Sequence, residues 1–128
     1  MKEPLWLDRE ECLAIHEMML AQHGGLSGVR NEGMLLSALA KPQKRFAYGE
    51  TSLPTLAAAY AAGIVRNHPF VDGNKRTGFM VAATFLDVNG WELTATEESV
   101  VVNTLAMAGG ELDEAGYAAW LKANTSRA

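Results

Sequence analysis

LAAAYAAGIVRNHPFVDGNKRTGFMVAATFLDVNG, residues 56–90, joins the two most apolar stretches of the chain through a polar loop. Ser52 supplies an N-cap and Pro54 a first-turn proline for a helix running to Asn67. That helix is apolar on nearly every side, which predicts a central, buried position. A second helix, RTGFMVAATFLDVN, is apolar over most of its girth and closed by Gly90. Between them, His68, Asp72, Asn74, Lys75 and Arg76 fall within nine residues. A connection of about six residues is usual for adjacent helices. Polar groups beside a core cost free energy unless they are paired, in the protein or with a ligand.

The local chemistry points to an anion. Gly73 lets backbone approach a bound group closely, and Asn74 to Thr77 make the first turn of the following helix. Such a turn directs unpaired N–H groups outward and carries partial positive charge. Lys75 and Arg76 oppose that dipole by a few tenths to about 1 kcal/mol, and a bound phosphate would reverse the sign. Asp72 can hold a magnesium ion that bridges phosphate oxygens. His68 can accept a proton from an incoming hydroxyl, since an imidazole is largely free base at neutral pH. Pro69 and Phe70 fix the backbone and wedge the loop into the core. Taken singly, Asp72-Gly73 is also an ordinary turn pair, and Lys75-Arg76 an ordinary solvated face.

Outward from the loop the chain reads as helix almost throughout. Asp8 with Glu11 forms a capping box for LDREECLAIHEMMLAQ, ended by the glycines of HGGLSG. NEGMLLSALAK, residues 31–41, is a shorter helix expected to stop at Pro42. QKRFAYGETS, 43–52, is a loop or a short hairpin. WELTA, 91–95, is a short extended piece. Thr96 opens EESVVVNTLAMA, whose acids favour the N-terminal dipole. Asp113 caps EAGYAAWLKAN, and TSRA is expected to fray. His16 and His23 read as surface or packing residues, Cys12 as a small buried hydrophobe, and Trp6, Trp91 and Trp120 as packing.

Composition bounds the partners. The 128 residues suit one domain, 1–128, with one core. Hydrophobic residues make up 48% and charged residues 20%, ordinary for a soluble protein. The net charge of −4, from 11 basic and 15 acidic residues, gives no general attraction to nucleic acid, so phosphate must be caught locally. One cysteine permits no internal disulfide and fits a reducing cytoplasm. MKEPLWLDREE turns acidic without an apolar run, so no signal peptide is expected, and no apolar run is long enough to span a bilayer.

HPFVDGNKR resembles the signature of the Fic/Doc superfamily, whose Fic branch reads HPFx[DE]GNGRxxR and whose death-on-curing branch, Doc, reads HxFxDxNKR. HGGLSGVRNEGMLLSALAKP, residues 23–42, resembles the upstream segment of Doc-like proteins, and residues 56–90 their core. The resemblance covers about residues 5–122. It implies an all-α fold, a compact helical bundle with the active loop between two central buried helices, and a target-facing flap that KRFAYGETS could form.

It also implies roles. His68 takes the place of the general base, Asp72 of the magnesium-binding acid, Asn74 of the anion-nest asparagine and Arg76 of the phosphate-contacting arginine. Gly73 stands where both branches carry a small residue, and Phe70 where they carry a packing aromatic. Lys75 discriminates the branches. Adenylyltransferases of the Fic branch have glycine there, whereas Doc toxins have lysine and resemble protein kinases in outcome, with ATP held the other way round. Three features depart from a pure pattern: Phe79 replaces the second Fic arginine, while Pro69 and Gly73 follow the Fic branch. Arg66 and Asn67 could also reach a phosphate, although Arg66 reads equally well as a charge at the helix C-terminus favoured by the dipole.

The implied activity is ATP- and Mg2+-dependent phosphorylation of a Thr or Ser hydroxyl, in the family a threonine of elongation factor Tu, arresting translation. AMP transfer, or nucleotide and antitoxin binding without turnover, are the alternatives. The inhibitory pattern [ST]xxxE[GN] is not met. Thr94 to Glu98 has the spacing but Ser99 follows, and Ser27 to Glu32-Gly33 is one residue too long. A toxin of this kind is expected to be restrained in trans by a small DNA-binding antitoxin.

Overall fold

The computed structural model describes residues 2–128. Helices α1 (Arg9–His23), α2 (Glu32–Ala47), α3 (Leu53–Asn67) and α4 (Asn74–Val88) are followed by strand β1 (Trp91–Leu93), helices α5 (Glu97–Ala108) and α6 (Glu114–Ala123), and strand β2 (Thr125–Arg127). The architecture is a helical bundle with one small two-stranded sheet.

α3 is its axis. Every residue of α3 from Leu56 to Val65 is buried, against α2 on one side and α4 on another. The alanines and glycines of this helix have a geometric purpose. A β-carbon on Gly63 would lie 3.2 Å from Cα of Ala38, so α2 and α3 touch nearly backbone to backbone. A β-carbon on Gly78 would lie 3.1 Å from the carbonyl oxygen of Ala61, so α3 and α4 do the same. The helices on either side of the polar loop are thereby locked at close range. Around them pack Tyr60, Phe70, Phe85, Leu86, Tyr117 and Leu121, all fully buried. Trp6 stacks on Phe85 with centroids 5.7 Å apart.

Local capping signals are realised as read. Asp8 and Glu11 form the capping box of α1, and Ser52, Thr96 and Asp113 cap α3, α5 and α6. Three expectations are corrected. Pro42 does not stop α2, which continues to Ala47. A helix-interior proline costs about 3 kcal/mol, but here Pro42 is buried, and the carbonyl of Ala38 that its missing N–H leaves free faces the close approach of Gly63. Residues 43–47 are accordingly the last turn of α2, and 48–52 form a turn with no hairpin and no flap strand. The C-terminal TSRA does not fray. Thr125–Arg127 pairs antiparallel with Trp91–Leu93, and Arg127 lies 5.5 Å from the Trp91 ring centroid. Asn124 reinforces the pair by accepting from both N and Oγ1 of Thr94.

Candidate active site

The loop from His68 to Gly73 is pinned from three directions. From within, Asn74 spans Phe70: its Oδ1 accepts from Phe70 N–H and its Nδ2 donates to Phe70 C=O, each at 3.0 Å. Buried Asn74 thus closes the loop with its side chain and has only its backbone N–H to offer a ligand. From the α1–α2 connection, Gly28 C=O accepts from Val71 N–H, while the N–H groups of Arg30 and Asn31 both donate to Pro69 C=O. From below, His16 of α1 stacks on Phe70, centroids 3.8 Å apart and planes 9° from parallel.

His68 ends α3 in the left-handed region, at φ 51° and ψ 53°, and is the only non-glycine residue with positive φ among the described residues. Such a conformation costs of order 1 kcal/mol or more and persists where surroundings impose it. Arg30 imposes it: Nε donates to His68 C=O at 2.7 Å and Nη2 to Asn67 C=O at 2.9 Å. The guanidinium satisfies the last carbonyls of α3 and its charge complements the negative end of the helix. The His68 side chain is left exposed.

Asp72 is also exposed, and each carboxylate oxygen accepts one backbone N–H. Leu26 donates to Oδ2 at 3.2 Å and Gly73 to Oδ1 at 2.9 Å. These two bonds, Leu26 first, with the charge of Arg76 in support, hold the carboxyl below its ordinary range, so it is anionic at neutral pH.

Helix α4 differs from its neighbours at its start. Side chains cap α1, α2, α3, α5 and α6, but α4 begins at Gly73, in the left-handed region at φ 76°, with no side-chain cap. Lys75 and Arg76 are exposed on this first turn, and among the described residues neither forms an ion pair. Unfilled N–H groups, two cations and an anionic carboxylate therefore meet at one exposed corner.

Two residues considered for phosphate point elsewhere. The Arg66 guanidinium lies 3.9 Å from Glu114 of α6, a carboxylate also approached by Lys41 at 2.5 Å and Arg45 at 2.8 Å. Asn67 donates to Met34 C=O. Two surface hollows, of about 460 and 400 Å³, lie along α2 and beside α6 and include no residue of the loop. The loop is an open shelf, suited to holding a ligand by its charged tail. Reading the chain alone assigned no role to Arg30, Gly25 or the donor of His16. The glycines of HGGLSG, read there only as a helix end, are the one local signal from which the close approach of Gly25 could have been found.

Comparison with known proteins gives the family. The model of the Fic/DOC family matches residues 6–86, which include α1 to α4 up to Leu86 and the whole loop. The chain belongs to the Fic/Doc family. It is 43% identical over 93 residues to a protein named Toxin Doc from Mycolicibacterium smegmatis, covering 70% of this chain and 68% of that one. It is 33% identical over 114 residues to Protein kinase doc of Escherichia phage P1, covering 88% and 90%. As in the expected Fic/Doc arrangement, the motif loop lies between two central buried helices. No helix among the described residues is long and apolar enough to cross a membrane.

Proposed function

We propose that this Fic/Doc protein is a Doc-like toxin that moves the γ-phosphoryl group of ATP to a Thr or Ser hydroxyl of a translation factor. The observation that carries the reading is the uncapped start of α4 with Lys75 and Arg76 unpaired on its first turn. N–H groups and charges so arranged stabilise negative charge on a transferring phosphoryl group. The likeness to Protein kinase doc supports the same reaction class.

His68, held by Arg30, accepts the hydroxyl proton. The hydroxyl oxygen bonds to the γ-phosphorus, the bond to the β–γ bridging oxygen breaks, and ADP departs. Lys75 occupies with a point charge the room that a glycine would leave for distal phosphates, which favours γ over α transfer. Asp72 is the residue that would hold magnesium. No three His, Cys, Asp or Glu groups converge among the described residues, but Mg2+ takes one or two carboxylates and completes its shell with waters and phosphate oxygens. An exposed anionic carboxylate with lone pairs to spare fits that mode. When bound, the ion would draw phosphate oxygens together and offset their charge.

AMP transfer is the second reading, favoured by Pro69 and Gly73, which follow the Fic branch; Phe79 in place of a second arginine speaks against it. Elongation factor Tu is the proposed target and a small DNA-binding antitoxin the proposed restraint, with the cytoplasm as their common compartment. Toxin names among the relatives support such a partner.

Labelled ATP separates the readings. Label transferred from the γ position, lost in His68→Ala and Asp72→Ala, is the expected result. Transfer from the α position instead would establish adenylylation, and transfer of neither label to any protein of a translation extract would leave a binder without turnover. Lys75→Gly is expected to weaken γ transfer.

A further inference from the structure

His16 is two-hundredths exposed and more than fifty residues from the motif in sequence. Its Nε2 lies 2.8 Å from the carbonyl oxygen of Asp72. A carbonyl can only accept, so Nε2 carries the proton and donates. That carbonyl and the N–H of Gly73 are the two ends of one peptide group. A trans peptide is planar, with C=O and N–H pointing in opposite directions. Holding the oxygen down on α1 therefore aims the Gly73 N–H away from α1, and that N–H donates to Oδ1 of Asp72 at 2.9 Å. Imidazole, peptide and carboxylate form one donor chain, in which each bond polarises the next.

The floor beneath this peptide is built to fit. A β-carbon on Gly73 would meet Leu20 Cδ2 at 3.4 Å and His16 Nε2 at 3.7 Å. The stack of His16 on Phe70 fixes the ring plane, and Asn74 fixes Phe70 at both of its backbone ends. The ring has one orientation and its donor one target.

We infer that His16 is a positioning residue that orients the Asp72 carboxylate through the Asp72–Gly73 peptide, and so sets the affinity of the site for a divalent cation with nucleotide phosphate. The inference deepens the phosphoryl-transfer reading and rests on it for the ligand, but the orientation itself is a property of the ligand-free chain.

Two substitutions separate the donor from the stack. His16→Phe keeps a flat ring on Phe70 and removes the donor, whereas His16→Gln keeps an amide donor at similar reach and removes the ring. Two measurements follow. In ligand-free protein, hydrogen exchange at the Gly73 amide is expected to be fast in His16→Phe and near wild-type in His16→Gln. In calorimetric titration with Mn2+ and a non-hydrolysable ATP analogue, His16→Phe is expected to bind about tenfold more weakly, the usual loss when a partner orienting a metal ligand is removed, with His16→Gln close to wild type. Wild-type exchange and affinity in a folded His16→Phe would overturn the inference, as would equal losses in both variants. Should His16→Phe fail to fold, His16→Gln decides: slow Gly73 exchange sustains the role and fast exchange overturns it. Wild-type protein that binds no Mn2+–nucleotide would defeat the phosphoryl-transfer reading, while the exchange data would still judge the tether.

Discussion

A β-carbon on Gly25 would stand 2.9 Å from Oδ2 of Asp72, closer than real β-carbons approach an oxygen. The connection after α1 thus passes directly over the candidate metal-binding carboxylate, with Gly25 itself at φ 120°. One residue later, Leu26 donates its N–H to the same oxygen. The glycine is both the clearance and the turn that make this bond possible.

Gly25→Ala should therefore damage function more than stability. The substitution costs about 1–2 kcal/mol for the left-handed backbone and pushes the Asp72 carboxylate aside. The thermal midpoint is expected to fall by several degrees. Phosphoryl transfer measured well below that midpoint should fall about 100-fold, as displacements near 1 Å typically cost. Unchanged turnover would mean that the position of Oδ2 is irrelevant.

Gly78→Ala tests the α3–α4 contact. Alanine gains up to about 1 kcal/mol in helix propensity. Its methyl would, however, meet Val65 Cγ2 at 2.9 Å and the Ala61 carbonyl at 3.1 Å, and backbone cannot step aside as a flexible side chain can. Overpacking of this kind costs about 1–3 kcal/mol. The expected net result is a lower urea midpoint with an unchanged m-value, read by circular dichroism.

These two contacts also mark the limit of what was legible in the chain. The helices around the loop, their caps and the loop itself were readable because each signal is local: a Ser, Thr or Asp before an apolar run, a glycine after one. Pro42 misled because tertiary packing of α2, with Pro42 buried and Ala38 close against Gly63, overrides a local breaking rule. Thr125–Arg127 was hidden because a three-residue strand is defined by its distant partner, here Trp91–Leu93. Arg30, Gly25 and His16 escaped for the same reason. Arg30 and His16 bond backbone oxygens of the motif and Gly25 gives the Asp72 carboxylate room, so none of the three pairs with a complementary side chain to be seen in the sequence.

Alkaline pH should unfold the protein earlier than its neutral stability would indicate. Burial pushes the phenols of Tyr60 and Tyr117 from 10.0 to about 12 and the thiol of Cys12 from 9.0 to about 12. Between the unfolded and folded values the native state holds protons that the unfolded chain has released, so stability falls as pH rises. It is fully present below pH 9 and drains away between there and about 12. Guanidinium melts across this window are expected to show the decline. Tyr117→Phe should flatten it, while lowering neutral stability by about 1–3 kcal/mol because the buried Thr104 hydroxyl loses its 2.9 Å partner.

Arg30 offers the sharpest test of the strained histidine. Its guanidinium reaches two consecutive carbonyls, Asn67 and His68, and so holds the terminus of α3 in the left-handed turn that presents the imidazole. The same residue's N–H, with that of Asn31, holds Pro69, and no side-chain substitution removes those bonds. Arg30→Met should therefore leave the loop docked on the α1–α2 connection but release His68 from its conformation. Lysine, a point donor without the fork, can satisfy one carbonyl and not both. The expected order of kcat is wild type, then Arg30→Lys, then Arg30→Met, with the last about 100-fold down. KM for ATP should change little, because Arg30 bonds the backbone of His68, the proposed base, and among the described residues has no bond to Lys75, Arg76 or the N–H groups of α4. A rise in KM at constant kcat would place Arg30 in nucleotide binding instead, and equal kcat in all three proteins would show that the backbone of His68 needs no clamp.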